Sequence, residues 1–344
     1  MKQHRVVMVE PGRVAVEAGP MPRPTADEVL VRTRFSAISP GTEMLVYRGQ
    51  WPAGVALDAT LDALTGPFTY PVTYGYCAVG RVIEQGNAVA GDWLDRRVFA
   101  FHPHQTHFCA RPTVLHPIPD DLEDENALFL PSMETAVNLL LDGRPLIGEK
   151  VIVVGQGIVG LLTTALLSRF PLTALTTLEP HMLRRETSLR FGADECLDPA
   201  DPANVSRLEA LPGGGGQADL VYELSGNPAG LDGAIALTRY SGRVVVGSWF
   251  GAKPVTLDLG SFFHRGRISL VSSQVSRIAP GLTGRWTPGR RLDLAWRMLR
   301  RVRPAGCITH RFALADAASA YERIDRSPAE TIQVIFDHGA AQEI

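Results

Sequence analysis

Residues Val151 to Gly160 read VIVVGQGIVG. A β-branched apolar run gives a short buried strand, and Gly155, Gly157 and Gly160 follow in the G-x-G-x-x-G spacing before LLTTALLSRF continues at helical period. Bare glycines let a pyrophosphate approach the backbone. The free N–H groups of the helix start, beginning at Ile158 and Val159, then face its charge with the positive end of the helix dipole. The stretch therefore predicts a dinucleotide-binding turn formed by Gly155, Gly157, Ile158, Val159 and Gly160. The spacing alone also occurs in plain βα units, so the flanking sequence has to support it.

The segment from Leu172 to Leu178 reads as the next strand, and Glu179 stands nineteen residues past Gly160. A carboxylate at that distance accepts hydrogen bonds from the adenosine ribose hydroxyls and repels a 2′-phosphate, which favours NAD over NADP. Arg184 and Arg185, a turn or more downstream, soften that preference. A helix over His181 to Phe191, a polar helix, the strand Asp219 to Leu224, a further helix and the strand Arg243 to Gly247 continue the alternation. Strands alternating with helices of this length predict a doubly wound parallel (Rossmann) sheet. Ser225 and Gly226 at the carboxyl end of one strand, and Gly247 at the end of the next, fall where such sheets bind ligands.

At 344 residues the chain accommodates two domains, and 45% hydrophobic with 20% charged residues is ordinary for a globular enzyme. A net charge of -2 without a basic stripe excludes a nucleic-acid partner. Positive charge is nearly all arginine, with lysine only at Lys2, Lys150 and Lys253. The start MKQHRVVMVEPGR lacks a signal-peptide apolar core, and the apolar run Val151 to Leu167 is too short and too glycine-interrupted for a membrane span. Cys77, Cys109, Cys196 and Cys307 are scattered without a C-x-x-C pair. That gives neither a disulfide framework nor a zinc knuckle, and predicts a reducing cytoplasm.

From Arg5 to about Leu128 the chain is short-stranded and turn-punctuated: RVVMVE, RVAVEA, DEVLVRTRFSAIS, YCAVGRVIEQG and RRVFAFHPH read as strands of a small, partly open barrel. Gln50 to Tyr70 reads as a loop placed to cover a substrate cleft, with a short amphipathic helix at LDATLDALTG. ENALFLPSMETAVNLLLDG has helical spacing and ends on Gly143, which suits a helix C-cap. RISLVSSQVS predicts a further strand, Arg290 to Val302 a basic amphipathic helix with a solvated face, and the tail from Ile308 a strand, a helix and a strand. PGGGGQ at Pro212 to Gln217 precedes a strand and so reads as a surface loop.

These residues resemble the medium-chain dehydrogenase/reductase superfamily, the alcohol dehydrogenase and quinone reductase group, over essentially the whole chain. DEVLVRTRFSAISPGTE looks like its early strand and first active-site loop, and YPVTYGYCAVGRVIEQG like the segment after it. VIVVGQGIVG, FGADECLD, DLVYELSGN and the 242–247 strand follow its cofactor domain, and ITHRFALADAASAYE its C-terminal return. SPGTE and YGY look most like a zinc-lacking branch that includes bacteriochlorophyllide hydroxyethyl dehydrogenase-like proteins. The resemblance implies a GroES-like, mostly β catalytic domain over 1–128 and 277–344, a Rossmann domain over 129–276, and a homodimer joined at the edge near RISLVSSQV.

The departures carry the chemistry. Zinc members place a Cys in the first loop, a His in a G-H-E motif and a Cys or carboxylate near the cofactor domain; this chain has Ser39 or Pro40, Gly75-Tyr76-Cys77 and Glu134 there. Only Cys77 and Glu134 are ligand types, and a catalytic zinc needs three. The four-cysteine structural lobe is absent too, so no zinc is expected. FHPHQTH puts His102 and His104 on one side of an extended strand, from which a His-x-His metal pair remains an alternative.

Without metal, a side chain has to donate to the developing alkoxide. Tyr76 takes the place of the missing histidine ligand. The candidates rank as Tyr76, then His104, then Glu43, with Thr42 as a relay, and each has a plain packing alternative. Thr135 matches a family threonine beside the nicotinamide. The expected activity is hydride transfer between a secondary alcohol and a ketone on a small polyfunctional metabolite. An NADPH-dependent quinone or enoyl reductase and a dinucleotide binder without turnover are the competing readings.

Overall fold

The computed structural model describes residues 2–57, 68–208 and 216–339, in two compact units. Residues up to Phe129 together with those from Arg303 form one, and Leu130–Val302 the other. The helix expected at LDATLDALTG and most of the PGGGGQ loop lie outside the described residues.

In the first unit, β1 (Lys2–Glu10) and β2 (Arg13–Pro20) form an antiparallel hairpin. Then come β3 (Val29–Ala37), α1 (Thr42–Tyr47), β4 (Ala78–Gln85), β5 (Arg97–Ala100), β6 (His107–Ala110), β7 (Leu115–Pro117) and α2 (Asp124–Ala127). Alternation in β3 and β4 puts Val29, Val31, Ala78 and Val82 on one face, where they bury against Val98 and Phe108. Each valine or phenylalanine so buried contributes about 1.5–3 kcal/mol.

The second unit opens with α3 (Leu130–Gly143) and runs through β8 (Lys150–Val154), α4 (Ile158–Leu167), β9 (Ala174–Leu178), α5 (Met182–Arg190) and β10 (Glu195–Leu197). It continues with α6 (Pro202–Leu208), β11 (Ala218–Glu223), α7 (Pro228–Leu237), β12 (Thr238–Val246), β13 (Ser269–Ser272) and α8 (Pro288–Val302). All pairings in its six-stranded sheet are parallel, in the order β10-β9-β8-β11-β12-β13. The order reverses between β8 and β11, the point where doubly wound sheets take their ligand. The chain then returns to the first unit through β14 (Ile308–Ala313), α9 (Ala317–Arg326) and β15 (Gln333–Asp337). There β15 pairs antiparallel with β3, completing the order β14-β15-β3-β4-β5-β7 with β6 on β3.

Four expectations need correction. Gly143 is not the left-handed cap of α3: Arg144 takes that conformation at φ +48, and Arg243 holds the carbonyls of both residues. Gly143 is glycine because a Cβ there would lie 2.3 Å from the Tyr222 hydroxyl. The domain boundary falls at 302/303 and not at 276/277, because α8 packs on α3 within the cofactor unit. The same helix is not a purely solvated basic face: Arg291 is buried, with Nε and Nη2 on Glu134 Oε1 at 3.1 and 2.9 Å and Nη1 on Asn138 Oδ1 at 2.7 Å. Finally, residues 101–106 are not an extended strand, so the His-x-His alternation does not apply. Among the described residues, no helix is long and apolar enough to cross a membrane.

Candidate active site

The glycine turn is built as its spacing predicts, with a separate reason at each position. Gly155 has φ +89, and a Cβ on it would lie 2.6 Å from the Ser225 Cα. A Cβ on Gly160 would lie 2.0 Å from the Gly155 carbonyl oxygen, so only glycine lets α4 start this close to β8. Gly157, the N-cap of α4, has open space around it and no side-chain cap. The first-turn amides of Ile158, Val159 and Gly160 thus form an uncapped helix start beside a bare backbone, which fits a dinucleotide pyrophosphate.

Glu179 directly follows β9 and is almost fully buried. Its Oε2 accepts the Gln156 amide at 2.8 Å and its Oε1 the His181 amide at 3.1 Å, with Arg184 Nη1 4.0 Å away. The carboxylate therefore ties the glycine turn to the end of β9. A carboxylate has about four lone-pair sites, so capacity for ribose hydroxyls remains. Arg185 is committed to the Glu179 and Pro180 carbonyls and to Asp198.

The remaining cofactor candidates line the ends of the neighbouring strands. Ser225 donates its amide and hydroxyl to Glu223 Oε1, the Gly226 amide goes to Ser248 Oγ at 2.8 Å, and the Gly247 amide to the Glu223 carbonyl at 3.0 Å. The Thr135 hydroxyl donates to the Pro131 carbonyl of its own helix at 2.9 Å, leaving its oxygen free to accept.

In the first unit, the structure brings Tyr76, Thr42, Glu43 and His104 together. Tyr76 is half-buried, and its hydroxyl donates to Ser39 Oγ at 2.6 Å, with the Thr42 hydroxyl nearby. Burial pushes the phenol pKa up to about 12, against the lowering effect of those two hydroxyls. The group is a protonated donor at neutral pH. Glu43 and His104 are fully buried. Glu43 Oε1 accepts the Ser39 amide at 2.7 Å, and its Oε2 accepts the Tyr321 hydroxyl at 2.7 Å beside His104 Nε2 at 2.9 Å. His104 Nδ1 meets Ser36 Oγ at 2.8 Å, and that oxygen meets His338 Nε2 at 2.9 Å. Gly75, at φ +127, lies against the His104 ring, where a Cβ would be 2.8 Å from it, so the Tyr76 loop rests on this buried column.

Ser36, Tyr321, His338 and Arg291 are members of these networks that the sequence reading did not single out. Their partners are 68, 278, 302 and 157 residues away, beyond any local spacing signal. An apolar-spaced helix carrying a tyrosine, as in α9, was the one available hint.

The donor set does not fit a catalytic zinc. Cys77 is buried with its thiol on the Leu128 carbonyl at 2.8 Å, and burial pushes that thiol up. Glu134 is paired with Arg291, and burial raises its carboxyl while the guanidinium opposes the shift. His102 stacks on Phe108 at 4.0 Å between ring centroids, and burial lowers its pKa to about 4. His104 has both nitrogens engaged. Among the described residues, no three His, Cys, Asp or Glu converge on one point.

One unit is a doubly wound parallel-sheet domain with a glycine turn, and the other a mostly β domain that carries the Tyr76 cluster. Residues 159–286 match the family described as "Zinc-binding dehydrogenase". D-guloside 3-dehydrogenase of Escherichia coli is 26% identical over 290 residues, covering 80% of this chain and 81% of the relative. A Sinorhizobium meliloti structure described as a zinc-binding dehydrogenase bound to NADP has a TM-score of 0.77 at 18% identity, covering 98% and 99% of the two chains. An Escherichia coli structure described as a short chain alcohol dehydrogenase complexed with NADH has a TM-score of 0.75 at 17% identity, with coverage of 98% and 99%. At that identity the structures speak for the fold alone. The chain is thus similar to dehydrogenases of the alcohol-dehydrogenase type, through the family match in its second unit and the guloside relative over most of its length.

Proposed function

We propose that this protein is an NAD(H)-dependent oxidoreductase that interconverts a secondary alcohol and a ketone without zinc. The observation that carries this reading is the Tyr76 phenol, kept protonated by burial and hydrogen-bonded to Ser39 where zinc members place a ligand. A dinucleotide held by its pyrophosphate at the glycine turn would supply or accept the hydride through its nicotinamide. The protein then has to give a proton to the oxygen that becomes an alkoxide. An alkoxide is a far stronger base than a phenolate, so transfer from Tyr76 runs downhill. Glu43 and His104 are buried, which gives them positioning roles: Glu43 holds the Ser39 amide from behind, and His104 holds Glu43.

The D-guloside relative supports a polyhydroxylated, sugar-like substrate. Glu179 supports NAD, since its carboxylate repels a 2′-phosphate. The β13 edge of the parallel sheet supports a homodimer, and the scattered free thiols support a cytoplasmic location.

Absorbance at the NADH band with a panel of sugars, polyols, ketones, enones and quinones tests the activity. Turnover of enones or quinones alone would favour the reductase reading, and NADH binding with no turnover the binding-module reading. Protein purified without chelator should contain well under one zinc per chain by elemental analysis, and stoichiometric zinc would overturn the metal-free chemistry. Glu179→Ala should weaken NADH by about 10- to 100-fold, the value of one hydrogen bond to a charged group, and NADPH less. Equal weakening of both would reduce Glu179 to a tether for the Gln156 and His181 amides.

A further inference from the structure

We propose that Ser39 is a catalytic residue: it stabilises the Tyr76 phenolate by reversing the hydrogen bond between the two hydroxyls. The inference rests on Tyr76 being the proton donor. In the resting structure Ser39 Oγ is an acceptor, from Tyr76 Oη at 2.6 Å and from the Thr42 amide at 3.4 Å. A serine hydroxyl has two acceptor sites and one proton. Both acceptor sites are used, and among the described residues no hydrogen bond donated by Ser39 Oγ occurs.

When the Tyr76 proton leaves, that O–H bond breaks, a substrate O–H bond forms, and the electron pair stays on the phenolic oxygen. The Ser39 proton can then turn toward this oxygen without movement of a heavy atom, and solvent water later reprotonates the phenol. The Ser39 oxygen is already in place, so rotation of one hydroxyl proton is the only reorganisation the step requires. Ser39 is fixed from behind, because its amide is bound to Glu43 Oε1 at 2.7 Å and Glu43 is held by Tyr321 and His104. The buried column therefore aims one hydroxyl at one oxygen.

Ser39→Ala should lower kcat by about 10- to 100-fold, the range for a hydrogen bond to a charged group, with NADH affinity and thermal midpoint unchanged. Ser39→Thr, which restores the hydroxyl, should recover most of the loss. Ser39→Cys, a weak donor of similar size, should fall between them and keeps the test open if the alanine variant does not fold. The double variant Ser39→Ala/Tyr76→Phe should be no slower than Tyr76→Phe, because Ser39 acts only through the phenol. Wild-type turnover in Ser39→Ala or Ser39→Cys, with Tyr76→Phe crippled, overturns this inference alone. An additive double variant also overturns it. Full activity in Tyr76→Phe removes the underlying reading instead.

Discussion

Replacing Tyr76 by phenylalanine is expected to lower kcat by about 10²- to 10⁴-fold, the usual contribution of a positioned general acid, while NADH affinity stays at the wild-type value. The substitution removes one oxygen and keeps the ring, which is in edge contact with Tyr74 at 6.2 Å between centroids. Packing is therefore preserved and proton donation is lost. Ser39 loses its donor partner but remains bound through its amide to Glu43, so the loop keeps its anchor. The pH profile adds a check. The phenol pKa is raised to about 12, so the donor stays protonated across neutral pH and loss of the proton cuts activity only at strongly alkaline pH. Steady-state rates for carbonyl reduction, with NADH binding measured by fluorescence, separate the two effects. Unchanged turnover would show that Tyr76 merely fills space.

The second large effect is expected at Gly160. Its Cβ would overlap the Gly155 carbonyl oxygen at 2.0 Å, and that atom is backbone, with no flexible end to swing aside. Gly160→Ala must push the start of α4 away from β8, at a cost of about 1–3 kcal/mol or more. It also moves the first-turn amides away from the pyrophosphate position. Both thermal midpoint and NADH affinity should fall. Gly157→Ala provides the contrast. Gly157 has φ -65 and ψ -179, open to any residue, and nothing lies within 4 Å of its Cβ position. Stability should therefore be retained while the methyl group obstructs the ligand, so that NADH affinity alone falls. Equal NADH affinity in wild type and both variants would mean that no dinucleotide lies on this turn.

The chemistry of the site was partly legible in the sequence. Tyr76, Thr42, Glu43 and His104 could be named one by one, and they do come together. Their ranking could not be refined, because burial separates the half-buried phenol from the enclosed carboxylate and imidazole. The pair Glu134–Arg291 shows the same limit from the other side. Glu134 alone looks like a metal ligand; a guanidinium 157 residues away makes it half of an ion pair.

The sequence by itself determined the strand–turn–helix course of the second unit. The valine run, the three glycines and the alternation of strand and helix follow from local sterics and periodicity, which act over a few residues. Tertiary structure decided which polar groups meet. Glu43 could have bound an arginine, a metal or water; it binds His104 and Tyr321 because α9 and the 101–106 loop fold onto α1. A side chain's partner depends on segments hundreds of residues apart being brought within 3 Å, and no local pattern encodes that distance.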